Sequence, residues 1–139
     1  MSDATELLGI YLHLARASQM RRRPHVRDRL LVLAAALASQ RELPRIAAYC
    51  RHRVIQHNPS HLIGRWLDLS LALQDSDFVH FLRHLERRYP REKAERMLDN
   101  LGIDLARERA AYYSDEEYAA ALLGVKISEL DAFGEAESQ

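Results

Sequence analysis

Three groups of residues have types and spacings that could do chemistry. The densest is basic. Arg16, Arg21, Arg22, Arg23, Arg27 and Arg29 lie in one stretch, and Asp28 is the sole acid between Arg16 and Arg41. A guanidinium is a planar fork of donors that grips carboxylate or phosphate through two parallel hydrogen bonds. Arg51, Arg53 and Arg65 carry the basic set further along the chain. Arg21, Arg22, Arg23, Arg27, Arg51 and Arg53 are the candidate partner-binding residues. An acidic protein segment suits them, and RNA or DNA is the alternative. Aromatics to stack single-stranded bases are sparse nearby, with Tyr11 and Tyr49 the closest.

The second group is Asp77, His80 and His84, which a helix would place on one face as three potential metal ligands. Arg83, Arg87 and Arg91 share that side. Their charge opposes a bound cation, so no metal is expected there. The third group is Cys50, His52, His57 and His61, clustered around Asn58-Pro59. A cysteine beside a histidine can act as nucleophile and base. However, Cys50 shares an apolar stripe with Ile46, Ala47 and Val54, where a cysteine behaves as a small hydrophobe. His57 and His61 are expected to satisfy backbone groups at the helix junction. The five glycines are isolated, so no phosphate-cradling loop is present, and no paired-carboxylate motif stands out. The expectation is a protein that is not an enzyme and holds no cofactor.

These residues must be positioned by helices. Ala, Leu, Arg and Glu dominate a chain of 139 residues that contains only 5 Gly and 4 Pro. No apolar run is long enough for a membrane span, and no membrane partner is expected. The start, Met1-Ser2-Asp3-Ala4-Thr5-Glu6, lacks the basic and apolar stretches of a secretion signal. A single Cys50 fits a reducing cytoplasm, the expected location. The zero net charge hides an asymmetry: residues 1–65 carry 11 basic and 4 acidic side chains, and residues 66–139 carry 9 and 16. Such a dipolar chain also suits head-to-tail pairing with itself.

Apolar periodicity predicts helices over about 4–19, 25–40, 44–57, 61–74 and 77–89. Pro24 and Pro44 suit first helical turns, and Asn58-Pro59 ends the third helix. The second is apolar nearly all round, as in a helix sandwiched between others. Ser60 is expected to cap the fourth. A sixth helix begins at Pro90 and ends by Gly102, and a weaker seventh covers about 103–113. Ser114 and Glu117 form a capping box for an eighth helix that stops at Gly124. Ser128-Glu129-Leu130-Asp131 is expected to cap one last turn.

An imperfect repeat links two of these segments. Arg29–Leu37 reappears 36 residues later as Arg65–Leu73, with five of nine positions identical. Tyr49-Cys50-Arg51-His52 then matches Phe81-Leu82-Arg83-His84, and each copy ends near a proline, Pro59 or Pro90. A period near 35 built from two helices points to stacked helical hairpins.

The hairpin at about 27–60 resembles a tetratricopeptide repeat. Ala47 precedes Pro59 by the twelve positions that separate a small residue from the terminal proline in that family. Leu31 and Ala35 fall where its first helix carries a large and then a small packing residue. In the second copy Phe78 stands where the small residue belongs. The resemblance implies a scaffold that binds a peptide or protein in a groove. Near the C-terminus, Ala120, Gly124 and Leu130 have the spacing of a helix-turn-helix. Its second helix would offer Glu129, Asp131 and Glu135, which repel a DNA backbone, so the segment is read as a packing turn.

The reading as a whole is an all-α array of antiparallel helical hairpins, with about seven to eight helices. Residues 1–134 form a single domain and residues 135–139 a frayed tail. The expected function is that of a non-enzymatic adaptor binding another protein, with nucleic-acid binding by the same arginines as the alternative.

Overall fold

The computed structural model describes residues 3–138, with side chains as far as Phe133. Among the described residues the chain is all helix and has no strand. The helices are α1 (Asp3–Met20), α2 (Pro24–Gln40), α3 (Pro44–His57), α4 (Leu69–Ala72) and α5 (Ser76–Arg88). They continue as α6 (Arg91–Asp99), α7 (Leu105–Ala110), α8 (Asp115–Leu123) and α9 (Ile127–Ser138).

α2 is the centre of the molecule. Every residue from Leu30 to Ala36 is buried, which a helix achieves only with neighbours on all sides. α1 and α3 pack along it, and α4 and α5 close its remaining flank. α6, α7 and α8 lie against α1, while α9 docks mainly on α3. Leu12, Leu30, Ile46, Leu69, Phe78 and Leu130 bring six of these helices into one core.

The turns that fold α1, α2 and α3 back on one another share one design. Arg22 and Glu42 both adopt left-handed backbone, at φ 57° and 59°. After each, the next amide reaches back to the helix: Arg23 N–H to the Ser18 carbonyl at 2.9 Å, and Leu43 N–H to the Ala38 carbonyl at 2.8 Å. These are Schellman caps, which satisfy the last carbonyls of a helix. Pro24 or Pro44 then opens the next helix, where its missing N–H costs no hydrogen bond. Gly124 ends α8 in the same way, at φ 72°. There the residue is glycine, which adopts this backbone without strain.

The segment 61–74 departs from the predicted helix. It is a 3-10 turn at Leu62–Arg65, an extended bend through Trp66, and the single-turn α4. Trp66 lies at φ −111° and ψ 143°, and its indole N–H donates to Asp75 at 3.2 Å. Asp68 then caps α4 by accepting from the Leu71 amide at 2.8 Å. Ser60 caps nothing here. It bonds back to the Asn58 side chain, while the His61 ring accepts from the Ile63 amide. The echo of Arg29–Leu37 in Arg65–Leu73 is therefore a likeness of composition, not a pair of equivalent helices.

Two further bounds differ. α7 covers only Leu105–Ala110. α9 spans Ile127–Ser138, where a single last turn was expected. Its docking on α3 supplies what the isolated sequence lacks. Arg45 of α3 pairs with Glu116 of α8 and Asp131 of α9, and Phe133 stacks edge-on against Tyr49 at 5.2 Å.

Candidate functional site

The arginines of the basic segment do not form one patch. The structure divides them among four places. Arg27 and Arg53 meet in a groove of about 310 Å3 between α1, α2, α3 and the end of α8, and Arg16 of α1 joins them there. Arg21 and Arg23 edge a separate hollow of about 140 Å3 against Met97, Asn100 and Leu101 at the end of α6. Arg22 is exposed at the turn itself. Arg51 reaches the other way, and its guanidinium donates to the Trp66 carbonyl at 2.8 Å, holding the bend that replaces the predicted helix.

The groove is built from helix spacing. Leu12, Ala15, Arg16 and Gln19 recur on one face of α1, and Arg27 and Leu31 on the facing side of α2. Leu122, Leu123 and Gly124 form the far wall. Leu12 and Leu31 are buried, so the floor is apolar, and the charged groups stand at the rim. Met20 is 77% exposed beside them. A cavity of this size is at the low end of ligand sites, about 300–1,000 Å3, and seats a side chain or two.

Charge in the groove is partly balanced. Arg27 donates through Nε and Nη2 to Asp28 Oδ1, at 3.2 and 2.9 Å. The other oxygen, Oδ2, is 2.5 Å from His57 Nδ1. A carboxylate only accepts, so Nδ1 carries the proton. Asp28 is 5% exposed and is thus a buried acid shared by two cationic or proton-donating partners. Sequence spacing missed this pair, because 29 residues separate its members. It also corrects the expectation that His57 binds backbone groups. Arg16, by contrast, makes no hydrogen bond or ion pair among the described residues.

The Cys–His group is not assembled for catalysis. Cys50 is fully buried, and burial pushes its thiol up to about 12. It stays a thiol at neutral pH and has no route to a substrate. His52 packs against Tyr49 and Phe133, and His61 packs edge-on against Phe81 at 5.7 Å. Burial lowers the His61 ring below its ordinary 6.5.

His80 and His84 do face each other, with Nε2 atoms 3.2 Å apart. Arg87 Nη2 lies 3.3 Å from His84 Nδ1 and can only donate to it. The neutral His84 ring then carries its proton on Nε2 and gives it to His80. This is a hydrogen-bonded pair beside an arginine, whereas a chelate needs both Nε2 lone pairs free. Among the described residues, no group of three or more His, Cys, Asp or Glu side chains could hold a metal.

The turn from α8 to α9 packs inward. Ala120, Val125 and Leu130 are all buried, and Glu129 accepts from the Lys126 amide at 3.2 Å. No helix among the described residues is long and apolar enough to cross a membrane. No family model, no curated protein and no solved structure matches the chain.

Proposed function

We propose that the protein is a non-enzymatic adaptor that binds an acidic segment of another protein in the groove between α1, α2, α3 and α8. The observation that carries this reading is the convergence of Arg16, Arg27 and Arg53, from three helices, over an apolar floor. Arginine is one of the residue types enriched among those that carry most of an interface's binding energy. A reducing cytoplasm suits the single buried Cys50. The tetratricopeptide likeness draws support only from the α2–α3 hairpin, where Leu31, Ala35 and Ala47 are buried.

Nucleic-acid binding is the second reading, favoured by Arg21, Arg22 and Arg23, three exposed cations on one turn. Affinity capture from the native cell, with and without nuclease, separates the two. The adaptor reading expects a protein that survives nuclease and is lost with Arg16→Glu, which reverses charge in the groove without removing an internal partner. Capture that vanishes with nuclease supports the second reading. Equal capture by the parent and Arg16→Glu overturns the groove as the docking site.

A further inference from the structure

We propose that the groove contains a seat for one carboxylate of its partner, and that the Gln19 side chain fills this seat in the unbound protein. The proposal rests on the groove being the docking site. Gln19 is exposed in the last turn of α1. Arg53 Nη2 donates to its Oε1 at 2.7 Å, and Arg27 Nη1 approaches the same oxygen at 3.4 Å. Two guanidinium groups thus converge on one neutral oxygen.

Arg53 has no carboxylate within ion-pair distance among the described residues. Its other contacts are the Tyr49 hydroxyl at 3.4 Å and the Tyr49 ring. Arg27 shares Asp28, its one ion-pair partner among the described residues, with His57. Arg16 on the same groove makes no ion pair among the described residues. The site therefore holds more positive than negative charge, with an amide where an acid would fit.

A carboxylate is the better occupant for three reasons. Hydrogen bonds to an ionised acceptor are roughly twice as strong as those to a neutral one. Its two oxygens offer one acceptor to each guanidinium, where the amide offers one in all. Its charge also offsets the excess positive charge of Arg16, Arg27 and Arg53 around the groove. Gln19 gives way easily, because an exposed amide exchanges its partner for water at little net cost. The flexible, exposed Met20 beside the seat fits varied apolar side chains. The recognised chemistry is an aspartate or glutamate next to an apolar residue.

Gln19→Glu tests this, because it ties a carboxylate into the seat. The probe is a degenerate peptide pool with one fixed Glu among randomised apolar and neutral positions, compared with a pool carrying Gln at that position. The parent should retain the Glu pool over the Gln pool. Gln19→Glu should weaken retention about tenfold, while Gln19→Ala stays within about threefold of the parent. Without any peptide, Gln19→Glu should raise the thermal midpoint at low salt, and the rise should vanish at high salt.

An unchanged midpoint, or Glu-pool retention equal to the parent, overturns the seat. So does an equal loss with Gln19→Ala, which would make Gln19 itself the contact. If the seat fails while Arg16→Glu still abolishes capture of the cellular protein, the adaptor reading stands alone. If the Gln19→Glu effects hold while capture survives Arg16→Glu, the seat stands and the adaptor reading fails.

Discussion

Asp28 and His57 join the start of α2 to the end of α3 through a 2.5 Å contact between Oδ2 and Nδ1. The same carboxylate holds Arg27 on its other oxygen. One buried acid thereby fixes the α2–α3 hairpin and aims an arginine into the groove.

Removing that acid should unfold more than it frees. Asp28→Ala leaves a guanidinium only 12% exposed and an imidazole 31% exposed without their partner. Breaking a buried pair from one side costs about 3–5 kcal/mol, and the partial exposure of His57 places this case near about 2–4. Urea denaturation of Asp28→Ala against the parent checks it. A loss under about 1 kcal/mol would mean that water replaces Asp28 without difficulty.

The two Schellman turns should respond differently from the rest of the surface. Arg22 and Glu42 hold left-handed backbone at a steric cost of about 1–2 kcal/mol that glycine avoids, less the entropy glycine loses on folding. Arg22→Gly and Glu42→Gly should each stabilise by about 0.5–1 kcal/mol, seen as a higher urea midpoint with an unchanged slope. Gly124→Ala, at φ 72°, should do the reverse.

The sequence makes the elements around these turns plain. Pro24, Pro44, Asn58-Pro59, Ser114 and Gly124 place the start of α2 and both ends of α3 and α8 to within a residue, because each acts through local backbone geometry. The 61–74 segment misleads because Leu62, Trp66, Leu69 and Leu73 keep helical spacing. Asp68 favours a cap over a helix interior, and the Trp66 indole finds Asp75 only from an extended backbone. The basic segment is legible as charge. Its division into groove, hollow and backbone clamp depends on contacts across the fold, such as Arg53 to Gln19 over 34 residues. The length of α9, anchored through Asp131 to Arg45 over 86 residues, is hidden from local pattern for the same reason.

A buried and a half-buried histidine set a pH dependence. His13 is 6% exposed, and its Nε2 is hydrogen-bonded to the Tyr118 hydroxyl at 2.8 Å. Burial lowers it below 6.5, helped by Arg16 and opposed by Glu108. Burial also lowers His61, opposed by Asp28. Both rings bind protons more readily when unfolded. Their contribution is therefore complete above the ordinary value of about 6.5, and it is lost as pH falls from there toward their lowered values. Urea midpoints between about pH 7.5 and 5 should decline, and His13→Gln should flatten part of that decline. A parallel decline in parent and variant would remove His13 from the account.

The core positions bear on the same helices. Leu33 is 2% exposed on α2, and Leu69 is 0% exposed on α4. Leu33→Ala should cost about 2–5 kcal/mol, since its rigid neighbours cannot close the cavity. Leu69→Ala should fall at the lower end, because α4 is a single turn beside exposed Leu71 and can shift inward. Equal losses at the two positions would show that α4 is held as firmly as the central helix.

The last prediction divides the basic segment by function. Arg21, Arg22 and Arg23 are exposed, and Arg27 is locked to Asp28. Changing the first three to Ser should leave the thermal midpoint nearly unchanged, since exposed charges contribute about 0–1 kcal/mol each. Arg27→Ser should lower it, because Asp28 then keeps only His57. Binding gives the opposite order under the adaptor reading: the triple variant should hold its captured protein nearly as tightly as the parent, and Arg27→Ser or Arg53→Ser should weaken it. Under the nucleic-acid reading, three phosphate contacts predict about a 40-fold loss of affinity between about 50 and 200 mM salt, and the triple variant should abolish that slope. A captured protein that ignores Arg53→Ser but is released by the triple variant would move the docking site from the groove to the α1–α2 turn.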